Sequence, residues 1–351
     1  MVCREVSFDE FRNRNIQIVL APLQGVTTAI FRSVFMSKFG GCRWAVAPFL
    51  TTRRGAVPLI PRDLRPESNP TGLALVPQLL GNDGDDFARA GAALHDATGC
   101  DEINWNLGCP SGTVTARKQG AGFLPDPQGI DRFLDRVCRR LPCALSIKMR
   151  LGMHRDREWE ALVPILNRYP IRSVILHGRI GTQGYRGQAN LDLFAEFRAA
   201  LRRPVIHSGD VTSVLGARRV LAKCPDLPGF MLGRGLIANP LLAVSILEGT
   251  ERSPSEVRAA IWEFHDQLLA AYQRESQEGA VVERMKALFV YWGPKLVPDR
   301  SEVEAGRGSE ARLVRRTLRA TTLGAYLDGV AAIRESGRRA DARIAPWRSE
   351  N

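Results

Sequence analysis

The 351-residue chain has no CxxC pair: its seven cysteines, Cys3, Cys42, Cys100, Cys109, Cys138, Cys143 and Cys224, stand well apart in sequence. Such scattering has the signature of neither a zinc site nor a disulfide framework, so reduced thiols and no metal are expected. No apolar run approaches the roughly 20 residues that cross a bilayer. The first ten residues, with Arg4, Glu5, Asp9 and Glu10, lack an apolar leader, so a cytoplasmic protein without membrane contact is expected. Acidic residues are in deficit: 37 Asp and Glu against 49 Lys and Arg leave a formal net charge of +12. Such a surface attracts polyanions, nucleic acid among them. A 44% hydrophobic and 25% charged composition excludes a chain disordered throughout. A monomer is expected.

Short β-rich runs alternate with helical patterns up to about residue 245. Strands are expected at Ile16–Ala21, Trp44–Pro48, Ala74–Leu79, Glu102–Asn106, Ala144–Met149, Ser173–His177, Pro204–Ser208 and Gly229–Leu232. Eight runs separated by amphipathic stretches, such as Phe87–Ala97 and Ile130–Leu141, predict an α/β fold, a (β/α)8 TIM barrel ringed by helices. Two insertions follow strands, Thr51–Pro70 rich in Pro and Arg, and Pro110–Leu124 rich in Gly. Strand-following loops form the reactive face of a barrel. After Pro240 the strand signal stops, and the pattern predicts a small C-terminal helical domain. Its helices are expected at Val257–Arg274, Val282–Trp292, Glu310–Thr322 and Leu323–Arg334, with Gly293, Pro294 and Pro298 as breakers. The resulting organisation is a barrel over 1–245, a helical domain over 250–335 and a loose basic tail over 336–351.

Chemistry concentrates at the strand ends. Asn106-Leu107-Gly108-Cys109-Pro110 places a thiol where a strand turns sharply into a loop, with Gly120-Ala121-Gly122 further along. A thiol ionising at about 8.5 is mostly protonated at neutral pH and can act as an acid; the competing reading is an inert buried thiol. Ser208-Gly209-Asp210 and Gly233-Arg234-Gly235 end the last two strands, where barrels bind phosphate, although tight turns also need glycine. Lys148 ends an otherwise apolar strand, which suits an anionic or polar partner, or a lysine reaching the rim. His177 occupies the equivalent place two segments on, as a ligand contact or a core histidine. With Gln78 and Pro22-Leu23-Gln24, these ends describe a flat, polar-edged ligand with a phosphate tail, which suits FMN.

In this order the motifs resemble those of the tRNA-dihydrouridine synthase family, most of all its bacterial type acting on uridine 16. The resemblance rests on Ala21-Pro22-Leu23-Gln24-Gly25-Val26-Thr27 with Phe31-Arg32, Gln78-Leu79-Leu80-Gly81, and Asn106-Leu107-Gly108-Cys109-Pro110 with Val114. Lys148-Met149-Arg150, His177-Gly178-Arg179, Ser208-Gly209-Asp210 and Gly233-Arg234-Gly235 complete it. It implies an FMN enzyme that reduces the C5=C6 bond of a tRNA uridine, with NADPH as electron source and Cys109 as proton donor to C5. Pro22, Leu23, Gln24, Gln78, Lys148, His177, Ser208, Gly209, Asp210, Gly233 and Arg234 are the implied cofactor contacts, and Asn106 faces the uridine. Gln183-Gly184-Tyr185-Arg186 and Arg284-Met285-Lys286 resemble the uridine-16 type. Leu23 stands where the family has Met, Ser208 where it has Asn, and Ala47-Pro48 where an acidic residue is common.

A flipped uridine needs stacking and edge contacts, for which Tyr185 and Asn106 are candidates. Arg186, Arg284, Lys286 and the stripe Arg312, Arg315, Arg316 and Arg319 are candidate tRNA contacts, together with Arg53, Arg54, Arg62 and Arg65 on the first insertion. The alternatives are an FMN reductase of a free pyrimidine or other small enone, and an RNA-binding homologue without turnover.

Overall fold

The computed structural model describes residues 15–70, 72–297 and 308–344, with the side chains of 339–344 excepted. Cys3, the first ten residues, Pro298 and the end of the expected tail lie outside the described residues. Among the described residues no helix is long and apolar enough to cross a membrane.

Among the described residues there are ten parallel strand segments: β1 Gln17–Leu20, β2 Trp44–Val46, β3 Leu50–Thr51, β4 Ala74–Val76, β5 Gln78–Leu80, β6 Glu102–Leu107, β7 Ala144–Gly152, β8 Ile171–Ile180, β9 Val205–Ser208 and β10 Gly229–Leu232. Their order, β3-β5-β6-β7-β8-β9-β10-β1-β2-β4, closes on itself because β4 at one end and β5, next to the other, are consecutive in the chain with only Pro77 between them. The ring is therefore a (β/α)8 barrel in which the expected strand Ala74–Leu79 is broken into β4 and β5, and the short β3 follows the expected strand Trp44–Pro48. Pro77 has no N–H to continue the ladder, but its carbonyl still accepts from the Asn104 N–H at 2.9 Å. Gln78 consequently starts β5 instead of ending a strand, and the same break lets it face inward. Alternation places Val19, Ala21, Val46, Val76, Ile175, Ile206 and Met231 together in the barrel core. His177 shares the inward face with Ile175, while Trp105 faces out from β6. There it stacks on Phe133 at 3.9 Å, with Phe87 edge-on to Phe133 at 5.1 Å. Those phenylalanines come from helices Pro127–Arg140 and Gly84–Thr98, whose starts are capped by Asp126 and Asp83.

Two compact units divide the chain. One holds the described residues of Met1–Met36, Gly40–Gly235 and Leu242–Glu251; the other holds those of Ser37–Phe39, Leu236–Leu241 and Arg252–Asn351. The second unit is built on helices Pro254–Glu275, Glu278–Leu296, Gly308–Leu318 and Leu323–Ile344. Ser253 and Glu256 form a capping box at the start of the first. Buried Phe264, Phe289, Trp292 and Tyr326 form its core, and the Tyr326 hydroxyl lies 3.0 Å from His265 Nε2. Two expectations are corrected here. Gly293 and Pro294 do not end the second helix, which runs on to Leu296. Packing overrides propensity: the Trp292 indole donates to the Ile237 carbonyl at 2.8 Å, and a side chain at Gly293 would meet Val314 at 2.8 Å. The tail is likewise helical from 336 to Ile344, continuing the last helix.

Candidate active site

A ladder of side-chain amides crosses the barrel interior from β7 to the strand ends. Asn104 Nδ2 donates to Ser146 Oγ (2.8 Å), Gln78 Nε2 to Asn104 Oδ1 (2.7 Å), and Asn106 Nδ2 to Gln78 Oε1 (2.9 Å). Asn106 Oδ1 then accepts the backbone N–H of Cys109 at 2.9 Å and of Gly108 at 3.2 Å. Each polar atom in this buried ladder has a partner, which makes the loop bearing the thiol rigid.

Cys109 itself is half-buried and lines a cleft with Pro22, Leu23, Gln24, Pro48, Phe49, Gln78, Asn106, Lys148, Arg150, His177 and Tyr185. Of the expected strand-end residues, Pro22, Leu23, Gln24, Gln78, Asn106, Lys148 and His177 thus converge on one opening, and Pro48 of the Ala47-Pro48 departure adds an apolar wall. Gly120 shows why the downstream glycines are needed. Its φ is +55°, and a Cβ there would lie 2.7 Å from the Cys109 carbonyl oxygen, which accepts the Ala121 N–H at 3.0 Å.

Arg150 and Arg179 have structural partners that the sequence does not disclose. Buried Arg150 donates from Nε to the Gly108 carbonyl (3.0 Å) and from Nη1 to those of Ile180 and Gly184 (both 2.8 Å). It therefore ties the Cys109 loop to the loop carrying Tyr185. Arg179 grips Asp210 through Nη1 at 2.8 Å and donates to the Gly187 carbonyl at 2.6 Å. The only advance signal was their place in basic strand-end motifs.

Electrostatics divide the cleft. Burial, then Arg150, lowers Lys148 to about 8, with Cys109 opposing. Burial, then Lys148, Arg150, Arg179 and His207, holds His177 well below its ordinary value, so its imidazole is neutral at pH 7. His177 Nδ1 is buried with no hydrogen-bond partner. A half-buried ammonium with no carboxylate beside it and an unpartnered ring nitrogen both call for a polar ligand, and the donor set fits the edge of a flavin.

Ser208, Gly209, Asp210, Gly233 and Arg234 sit at the ends of β9 and β10 and are not on the wall of the Cys109 cleft. Tyr185, 53% exposed, links the two groups: Arg234 lies 4.0 Å from its ring centroid, and His177 is edge-on at 6.3 Å. Burial raises the pKa of Asp210, but the hydrogen bonds of Arg179 and the Ala189 N–H, with the charges of Arg179 and Arg234, outweigh it and hold it low. Asp210 is thus the anchor of two arginines. Neighbouring side chains leave little room at the glycines, since a Cβ at Gly209 would lie 3.1 Å from the ring of buried His207, and one at Gly233 3.3 Å from the Ala21 Cβ. Ser208 is buried, and exposed Arg186 donates to the Thr182 carbonyl at 3.0 Å.

In the second unit, Arg312, Arg315, Arg316 and Arg319 are exposed and line one depression with Ala320, Thr321 and Ala325. Lys286 caps this region by donating to the Ala320 carbonyl at 3.0 Å and pairs with Glu283 at 2.6 Å. Arg284 is engaged by the Ser276 hydroxyl and lies 5.3 Å from the Tyr272 ring centroid. Arg53, Arg54, Arg62 and Arg65 are exposed in the first unit, where buried Arg32 ties their insertion down through the Asp63 and Thr27 carbonyls, both at 2.6 Å.

Residues 19–291 match the family model described as Dihydrouridine synthase (Dus). The tRNA-dihydrouridine(16) synthase of Ralstonia nicotianae is 30% identical over 286 residues, covering 79% of this chain and 85% of that protein. The Pseudomonas putida protein of the same name is 29% identical over 273 residues, 75% and 82% of the two chains. That of Cupriavidus necator is 30% identical over 250 residues, 68% and 76%.

Proposed function

The chain belongs to the dihydrouridine synthase family, and from that premise we propose that it reduces uridine 16 in the D-loop of tRNA to 5,6-dihydrouridine, with FMN as cofactor and NADPH as electron donor. FMN supplies the hydride for C6 of the uracil. The remaining work falls to the chain's own residues, acting as a cytoplasmic monomer.

Pro22, Leu23, Gln24, Gln78, Lys148 and His177 hold the ring system. Ser208, Gly209, Gly233 and Arg234 hold the phosphate end, with Asp210 keeping Arg234 aligned. Lys148 gains most from such a partner, because an anionic edge restores the solvation that burial removed. Cys109 gives its thiol proton to C5 and becomes a thiolate until solvent reprotonates it. Hydride on C6 and a proton on C5 together account for the saturated bond. Asn106, with one amide hydrogen still to offer beyond that given to Gln78, and Tyr185 receive the flipped base. Residues 1–245 carry the chemistry. The helical segment 250–335 docks tRNA through Arg312, Arg315, Arg316 and Arg319, with Arg284 and Lys286 shaping that surface and Arg186 meeting the substrate beside the cleft.

The observation that carries this reading is the thiol of Cys109 sharing one cleft with Lys148 and with His177, whose buried Nδ1 has no hydrogen-bond partner. Dihydrouridine mapping in tRNA from a strain lacking this protein tests it. Wild-type protein should restore dihydrouridine at position 16, and Cys109→Ala should not. Restoration at another position would refute the site assignment, and no restoration at all would refute the substrate.

A further inference from the structure

His95 near the end of helix Gly84–Thr98, Cys100 just before β6 and Cys143 just before β7 meet at the amino-terminal end of the barrel strands, away from Cys109. One ligand atom from each lies within 4.8 Å of the others, and all three side chains are half-buried. Strand register brings them together. Glu102 pairs with Ala144, and the Ala144 N–H donates to the Asp101 carbonyl at 3.0 Å, so the residues preceding the two strands are neighbours. His95 Nδ1 lies 2.7 Å from the Cys100 carbonyl oxygen. A carbonyl only accepts, so Nδ1 carries the hydrogen and Nε2 the lone pair, the way backbone commonly fixes the tautomer of a ligating imidazole.

We propose that His95, Cys100 and Cys143 bind a thiophilic divalent cation, Zn2+, which ties the helix end to the starts of β6 and β7. A tetrahedral ion with bonds of about 2.3 Å to sulfur and about 2.0 Å to nitrogen needs ligand atoms roughly 3.5 Å apart, so small side-chain rotations close the site. Two thiolates neutralise the ion, and water completes its shell. The proposed reduction at Cys109 uses none of these residues. A CxxC pattern is not needed, because four and 42 residues separate the ligands in sequence and the sheet makes them adjacent.

Metal analysis of the full-length chain from zinc-supplemented cells, with Co2+ titration of the reduced, metal-free protein, tests the site. About one Zn2+ per chain is expected, together with a thiolate-to-cobalt charge-transfer band and the visible bands of tetrahedral cobalt. Cys100→Ser and Cys143→Ser should each lose the metal and the bands while keeping wild-type flavin content, and Cys138→Ser should change neither. Should either variant fail to fold, the wild-type titration still decides. Absence of both zinc and the cobalt band in reduced wild-type protein overturns the proposal. So does a mass lower by two hydrogens in freshly isolated protein, which would show a Cys100–Cys143 disulfide in place of the metal.

Discussion

Lys148 is the residue at which stability and ligand binding oppose each other. Its ammonium is lowered to about 8 from the ordinary 10.5, by burial first and Arg150 second, with Cys109 opposing. Between those values the unfolded chain binds a proton that the folded chain has shed, so stability rises with pH across that window. Below about 8 the cost of the buried charge is fully present. Flavin-free Lys148→Met should therefore melt above wild type at about pH 7, with the gap closing by about pH 10, and should bind flavin more weakly. Melting curves at both pH values check this, and a gap of constant size would contradict it. Lys148 and His177 were legible as candidates because a charged or titratable side chain ended an apolar strand. Asn106 was only partly legible, because Gln78 and the Cys109 N–H that it binds come from other strands or from beyond the turn.

At the scale of elements, the loop after β6 owes its shape to three ties: Asn106 on the Cys109 N–H, Arg150 on the Gly108 carbonyl, and Gly120 against the Cys109 carbonyl. Gly120→Ala places a side chain where φ is +55° and contact is 2.7 Å. The expected cost is about 1–3 kcal/mol of stability, read by denaturant unfolding. Uridine reduction should fall at least about tenfold with flavin content retained, as a shifted acid predicts. Wild-type turnover in this variant would detach the loop's shape from the chemistry. Alternation made the barrel strands readable. The split at Pro77 was not, since Ala74–Leu79 reads as one continuous run and only the pairing of β4 with β2 and of β5 with β6 reveals two segments. The second-unit helix passing through Pro294 was hidden for a related reason: burial of Trp292 outweighs a local breaking signal.

Across the whole molecule, the +12 charge finds a candidate focus in the depression lined by Arg312, Arg315, Arg316 and Arg319. Their spacing at helical intervals was visible in sequence, although the helix Gly308–Leu318 ends one residue before Arg319. The internal bonds of Arg284 and Lys286 were not, because Ser276 and Ala320 become neighbours only on folding. If this surface docks tRNA, affinity should fall steeply with salt. Arg315→Glu combined with Arg319→Glu should weaken binding about tenfold or more and flatten the salt slope, while turnover at saturating tRNA changes little. Filter binding at several salt concentrations reads both quantities, and an unchanged slope would remove this surface from the docking site.

The central claim is that Cys109 delivers the proton that completes uridine reduction. Single turnover tests it most directly: FMN-loaded protein, reduced by NADPH, is mixed anaerobically with tRNA lacking dihydrouridine, and the return of flavin absorbance is followed. Cys109→Ala should hold as much FMN as wild type and reoxidise with tRNA at least about 100-fold more slowly, the scale of a lost general acid. Reoxidation at the wild-type rate in that variant would contradict the account.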